Sequence, residues 1–147
     1  MLTSSDGFKL QVKNWHTKDA KASLLLVHGL GEHSARYEHV AQALNDISVN
    51  VYSFDLKGHG LSEGPRAFIK DISEYRADLE TVYQQTPKNL PLFMLGHSMG
   101  GLIVTDFLLD SAKTDVKGVV LTGAALEAGD DINAFKKILI NFLMYSL

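Results

Sequence analysis

The chain has 147 residues, 46% of them hydrophobic and 21% charged, with a formal net charge of -3 and a pI near 6.0. That composition suits one globular core rather than a disordered chain, and its mildly acidic balance offers no basic surface for nucleic acid. The absence of cysteine rules out disulfides and thiolate metal sites and fits a reducing, cytoplasmic setting.

Ser4, Ser5, Asp6 and Lys9 interrupt the first ten residues, where an export signal needs an unbroken apolar stretch. Asp6-Gly7 reads as a turn ahead of a half-exposed strand in which Phe8, Leu10 and Val12 alternate with polar residues. Residues 24–27 form a short apolar run, the pattern of a buried strand. Tyr37, Val40, Ala41 and Leu44 then share one face at helical spacing. Residues 49–54 read as the next strand. Asp71, with Glu74 three residues on, resembles a capping box that opens a helix whose apolar stripe is Ile72, Tyr75, Leu79, Val82 and Tyr83. Residues 92–95 give another strand, and Leu102, Ile103, Phe107 and Leu108 give a helix apolar enough to be mostly covered. A last strand is expected over 116–121. Four of these strands read as buried and parallel. The alternation predicts an α/β fold of three layers, a mostly parallel sheet with helices on both faces.

Residues 1–129 are therefore expected to form the core, and the texture changes over 130–147. There Ile132, Phe135, Ile138, Leu139, Phe142, Leu143 and Leu147 share an apolar face opposite Lys136 and Lys137. Periodicity alone favours a core helix, and a lid helix or a membrane-surface helix fits the same pattern. The apolar stretch over 138–147 contains Asn141 and Ser146 and falls short of the about 20 residues that span a bilayer.

The chemistry concentrates after the strands. The 92–95 run leads into Gly96-His97-Ser98-Met99-Gly100-Gly101 and at once into a helix, the strand–turn–helix setting of a G-x-S-x-G nucleophile elbow. A serine forced onto such a bend lifts its hydroxyl clear of the sheet, and Gly96 and Gly100 remove side chains that would collide there. A glycine-rich nucleotide-binding turn is the competing reading, but neither G-x-G-x-x-G nor G-K-[ST] is present. His28-Gly29-Leu30-Gly31 follows the 24–27 strand and reads as an oxyanion loop. The backbone N–H groups of Leu30 and Met99 are the expected donors, the second at a helix start where the dipole favours an anion. A plain glycine turn is the alternative. Asp55, Gly58, His59 and Gly60 form a turn after the next strand, where structural hydrogen bonding explains the Asp-His pair better than catalysis or metal binding. His28, Glu32 and His33 do not stand at zinc-ligand spacing, and His16 and His39 have no partners in sequence and read as surface or satisfied residues, so no metal is expected.

Three motifs thus stand in order: His28-Gly29-Leu30-Gly31-Glu32-His33-Ser34 with Arg36-Tyr37, then 55–62 followed by Glu63-Gly64-Pro65-Arg66, then 96–101. Together they resemble the monoacylglycerol lipase and lysophospholipase group of α/β-hydrolases, which are serine aminopeptidase-like hydrolases. The resemblance implies hydrolysis of small lipid esters such as monoglycerides or lysophospholipids, no metal or organic cofactor, and a helical cap that would begin at 130–147. It also implies the catalytic order serine, acid, histidine. All six histidines precede Ser98, and Asp106, Asp110, Asp115 and Glu127 follow it at or beside the next helix and strand. The chain is accordingly expected to resemble the amino-terminal half of such an enzyme, lacking later strands and weak or inactive alone. A complementary C-terminal half is the expected partner, with weak membrane-surface contact through 130–147. A non-catalytic binding or scaffold module, and an acyltransferase or thioesterase, are the competing functions.

Overall fold

The computed structural model describes residues 1–110 and 115–126. β1 (Leu2–Thr3) and β2 (Lys9–Leu10) form a small antiparallel hairpin, with Gly7 at φ +92° in its turn. A five-stranded sheet follows, in the spatial order β3 (Val12–Trp15), β5 (Val49–Phe54), β4 (Ala22–Val27), β6 (Leu92–His97) and β7 (Val116–Thr122). β4 to β7 are parallel to one another, and β3 runs antiparallel to β5 at one edge.

The strand expected over 8–12 is two strands. At Gln11 the chain changes partners: its N–H donates to Ser62 Oγ at 2.9 Å and its C=O accepts from the Asp55 N–H at 2.8 Å. Residues before it pair in the hairpin and residues after it join the main sheet. Alternation survives across such a switch, so the sequence pattern does not reveal it.

The helices are α1 (Glu38–Asp46), entered through a 3₁₀ turn at Ser34–Tyr37, α2 (Ile72–Gln85) and α3 (Met99–Asp110). Ala41 of α1 packs with Trp15, Leu26 and Val51 on one face of the sheet, supported by Tyr37, Val40 and Leu44. On the other face Tyr75, Leu79, Val82 and Tyr83 of α2 and Ile103, Val104 and Phe107 of α3 pack on Leu25, Val27, Phe54, Leu92 and Met94. Each such fully buried side chain contributes about 1.5–3 kcal/mol of transfer free energy, so alternate residues along a strand commit to opposite layers. The three-layer expectation holds. The segment 130–147 and Glu127 lie outside the described residues.

The helix-start signal at Asp71 also holds, with a shifted second arm. Asp71 Oδ1 accepts from the Ser73 N–H at 2.9 Å, while Glu74 Oε1 accepts from the Lys70 N–H at 2.9 Å rather than from Asp71. The other Glu74 oxygen pairs with Lys57, which diverts the side chain.

Parallel strands place their carboxyl ends on one edge, and the segments 28–33, 55–62, Ser98 and 123–126 all follow those ends. Ligands in open α/β sheets bind at this edge.

Candidate active site

Ser98 is the single residue between β6 and α3, and its φ is +51°. A non-glycine residue in this left-handed region carries about 1–2 kcal/mol of strain unless its surroundings hold it there. They do. The Ser98 N–H donates to Thr122 O at 2.9 Å, and its C=O accepts from the Gly101 N–H at 2.9 Å and the Ala125 N–H at 3.1 Å. The end of β7 and the first turn of α3 therefore fix the bend from both sides.

The glycines around it permit close backbone approach. A methyl group at Gly96 would lie 2.6 Å from Gly100 O and from Gly101 Cα, and one at Gly100 would lie 2.2 Å from Val27 O. Strand, helix and the end of β4 meet there without side chains between them.

The end of β4 supplies the facing wall. His28 is fully buried; its Nε2 accepts the Leu56 N–H at 3.0 Å, so Nδ1 carries the proton and donates to Gly29 O at 2.7 Å. Burial pushes its pKa down to about 4, which leaves it neutral near pH 7. Gly31 has φ +69° and closes a turn in which the Glu32 N–H donates to Gly29 O at 3.4 Å. A methyl group at Gly29 would lie 3.3 Å from Ser98 Cβ and 3.3 Å from His97 Cδ2, so this turn abuts the elbow directly. Among the described residues, the N–H groups of Leu30 and Met99 donate to no protein acceptor.

Beside the elbow a cleft of about 220 Å³ is lined by Glu32, Arg36, Tyr37, His39, Val40 and His97. His97 Nδ1 lies 2.9 Å from Thr122 Oγ1. Burial raises the Glu32 pKa, but hydrogen bonds from Tyr37 and Gly29 and the charge of Arg36 outweigh it and hold the carboxyl below its usual range. The Tyr37 hydroxyl is pushed well above its usual value by burial and by that carboxylate.

Asp55 is a structural acceptor. Its Oδ1 takes the Ser34 N–H at 2.7 Å and hydroxyl at 2.6 Å, its Oδ2 takes the Leu61 N–H at 2.8 Å, and a methyl group at Gly60 would lie 2.1 Å from Oδ2. His59 is buried with Nδ1 at 3.1 Å from Lys57 O. Of the acidic residues after Ser98, Asp106 and Asp110 lie on α3 and pair with Arg76, and Asp115 immediately precedes β7. Among the described residues no cluster of three or more metal-ligating side chains is present. The sequence pattern did not single out Glu32 and Tyr37 as turn-fixing groups or Thr122 and Ala125 as partners of the Ser98 backbone. An acid three residues after Gly29 is a signal for the first pair; the second pair depends on a long-range strand pairing that leaves no local mark.

Comparison with known proteins fits this geometry. The chain is 34% identical to the monoglyceride lipase of Rattus norvegicus over 97% of its own length and 50% of the relative's. It is 37% identical to a monoacylglycerol lipase of Mycolicibacterium smegmatis over 78% of its length and 42% of the relative's. Among solved structures, the monoacylglycerol lipase of Paleococcus ferrophilus matches with a TM-score of 0.73 and 31% identity, covering 92% of this chain and 51% of that one. An esterase from Exiguobacterium antarcticum also matches with a TM-score of 0.73, at 27% identity over 84% of this chain and 44% of that one. The chain thus spans about half the length of these relatives. The family model described as "Serine aminopeptidase, S33" matches residues 18–146, and the chain belongs to that family of α/β-hydrolases.

Proposed function

We propose that this chain carries the nucleophile and oxyanion hole of a serine hydrolase for carboxylic esters of small lipids, monoacylglycerols or lysophospholipids. Ser98 Oγ attacks the ester carbonyl, and the Leu30 and Met99 N–H groups stabilise the oxyanion that forms. One observation carries the reading: a strained serine on a strand–helix bend faces a glycine turn, and two backbone donors nearby have no protein acceptor among the described residues. The cleft beside His97 is lined mainly by polar side chains, which suits a hydroxylated or charged head group better than an acyl chain.

The reaction also needs a base. No histidine follows Ser98 in this chain, and His28 has both ring nitrogens engaged. A hydroxyl without a base retains only the residual rate that oxyanion stabilisation and binding supply. Turnover by this mechanism needs an acid and a histidine at Ser98, and on our reading a complementary segment supplies them. No helix among the described residues is long and apolar enough to cross a membrane. Contact with a lipid surface through 130–147 rests on the sequence pattern alone, and flotation with anionic vesicles tests it, recovery of the protein in the pellet being the adverse result.

The test uses two readouts. A short p-nitrophenyl ester should give no stoichiometric burst with the chain alone, and a burst abolished by Ser98→Ala would overturn the inactivity. A fluorophosphonate should add slowly, over hours, at Ser98 by intact mass. Complete refusal would instead favour a non-catalytic binding module.

A further inference from the structure

The turn after β4 is held more firmly than a change of direction requires. The Gly29 N–H donates to Glu32 Oε2 at 3.0 Å, and Gly29 O accepts from both the Glu32 N–H at 3.4 Å and His28 Nδ1 at 2.7 Å. Glu32 therefore grips the peptide planes on both sides of the Gly29 Cα. Its carboxylate holds the 28–29 plane and its main-chain N–H holds the 29–30 plane.

The second plane is the one that matters for chemistry. Gly29 C=O and Leu30 N–H belong to the same trans peptide, so they point in opposite directions. Pinning the carbonyl on the His28 and Glu32 side aims the Leu30 N–H the other way, and only a slack turn lets that plane rotate. The Glu32 carboxylate is itself fixed. Tyr37 O–H donates to the same Oε2 at 2.7 Å, and Arg36 Nε lies 3.5 Å from Oε1. Both partners come from the 3₁₀ turn that leads into α1, so the outer helix is tied to the loop facing Ser98. A methyl group at Gly29 would touch Glu32 Oε2 at 3.1 Å and Ser98 Cβ at 3.3 Å, so the carboxylate and the elbow both close on the same side of Gly29.

We propose that the Glu32 carboxylate is a positioning group for the oxyanion hole: by holding the 28–29 peptide plane it fixes the turn on which the Leu30 N–H is presented at Ser98. This rests on the reading of Ser98 as nucleophile and Leu30 as donor. A direct role as proton acceptor fits poorly. The carboxylate already accepts from Gly29 and Tyr37 and faces Arg36, and those same contacts make it a weaker base than a free glutamate.

The experiment compares wild type, Glu32→Ala, Glu32→Gln and Tyr37→Phe by two measurements on the intact chain. The first is the rate of fluorophosphonate addition at Ser98; the second is amide hydrogen exchange at Gly29, with Leu25 and Leu26 of β4 as the folding control. Glu32→Ala should slow addition by about 50-fold, somewhat less than the loss of a whole donor, and speed Gly29 exchange at least about 10-fold. Glu32→Gln keeps a carbonyl acceptor without the charge and should restore most of the rate, to within about 5-fold of wild type. Tyr37→Phe keeps the Gly29 bond and should cost no more than about 3-fold. Should Glu32→Ala expose Leu25 and Leu26 to exchange, Glu32→Leu, of similar length and without an acceptor, takes its place. Addition within 2-fold of wild type in Glu32→Ala, or in Glu32→Leu where that takes its place, overturns the proposal whether or not Gly29 exchange changes. Failure of the wild type itself to react strikes the reading of Ser98 instead; Glu32 is then judged by Gly29 exchange alone, where no change overturns it.

Discussion

Ser98 holds a backbone conformation that its side chain disfavours, and the strain should be measurable apart from any chemistry. With φ at +51°, replacement by glycine relieves a clash that alanine keeps. Ser98→Gly is therefore expected to be about 1 kcal/mol more stable than Ser98→Ala in urea unfolding, although neither reacts with a fluorophosphonate. Equal stabilities would mean that the bend is unstrained. Two buried groups should shape the pH dependence of stability in opposite senses. His28 has its pKa lowered by burial from 6.5 to about 4, so the folded state binds fewer protons and its stability declines as pH falls from 6.5 through about 4. Asp78 has its pKa raised by burial from 3.8 to about 7, so the folded state binds more protons and its stability declines as pH rises from 3.8 through about 7. Asp78→Asn should thus melt higher than wild type at pH 8, by roughly 2 kcal/mol or about 6 °C, and the gain should vanish near pH 4. A gain at pH 4 as large as that at pH 8 would show that the carboxyl is not the cause.

At the scale of elements, the glycines near the site separate into two kinds that sequence alone does not distinguish. Gly31 needs its left-handed φ of +69° but has open space where a methyl group would stand; Gly100 needs the space, with Val27 O only 2.2 Å from that point. Gly31→Ala is expected to cost about 1 kcal/mol and Gly100→Ala about 2–3 kcal/mol, read from chemical denaturation. The reverse order would mean that α3 moves away from β4 without cost. The same contrast marks what was legible beforehand. The stripe Ile72, Tyr75, Leu79, Val82 and Tyr83 and the face Tyr37, Val40, Ala41 and Leu44 are local periodicities, and both pack as that spacing requires. The elbow at 96–100 was equally legible, because its glycines are adjacent in the chain. The break at Gln11 and the grip of Thr122 and Ala125 on Ser98 were not, since each joins residues far apart in sequence. Glu32 stood in plain view within a motif, yet its role depends on which way the turn at Gly31 folds its side chain back. Periodicity carries no information about that.

For the whole molecule, the layers are unequal. α1 covers β3, β5 and β4, and α2 and α3 cover the opposite face, but β7 beyond Val116 lies outside this shelter. Val119, Val120 and Leu121 are 43%, 50% and 38% exposed, and Phe93 on the adjoining β6 is 36% exposed. Neighbours along β7 point to opposite faces, so both faces of this strand are apolar and open, and among the described residues its outer edge has no strand partner. A bulge at Lys117 breaks the start of the strand, but the apolar stretch 119–121 beyond it carries neither charge nor proline and is a template for pairing with another chain. The protein is therefore expected to self-associate as its concentration rises through about 10–100 μM. Val120→Lys, at the most exposed of these three apolar residues, places a charge where a partner's strand would dock without disturbing the core beneath α3. Sedimentation velocity should show wild type shifting to larger species across that range while the lysine variant stays monomeric. If both sediment as monomers at the highest concentration, the open faces of β7 do not govern assembly; if both associate alike, the contact lies elsewhere on the surface.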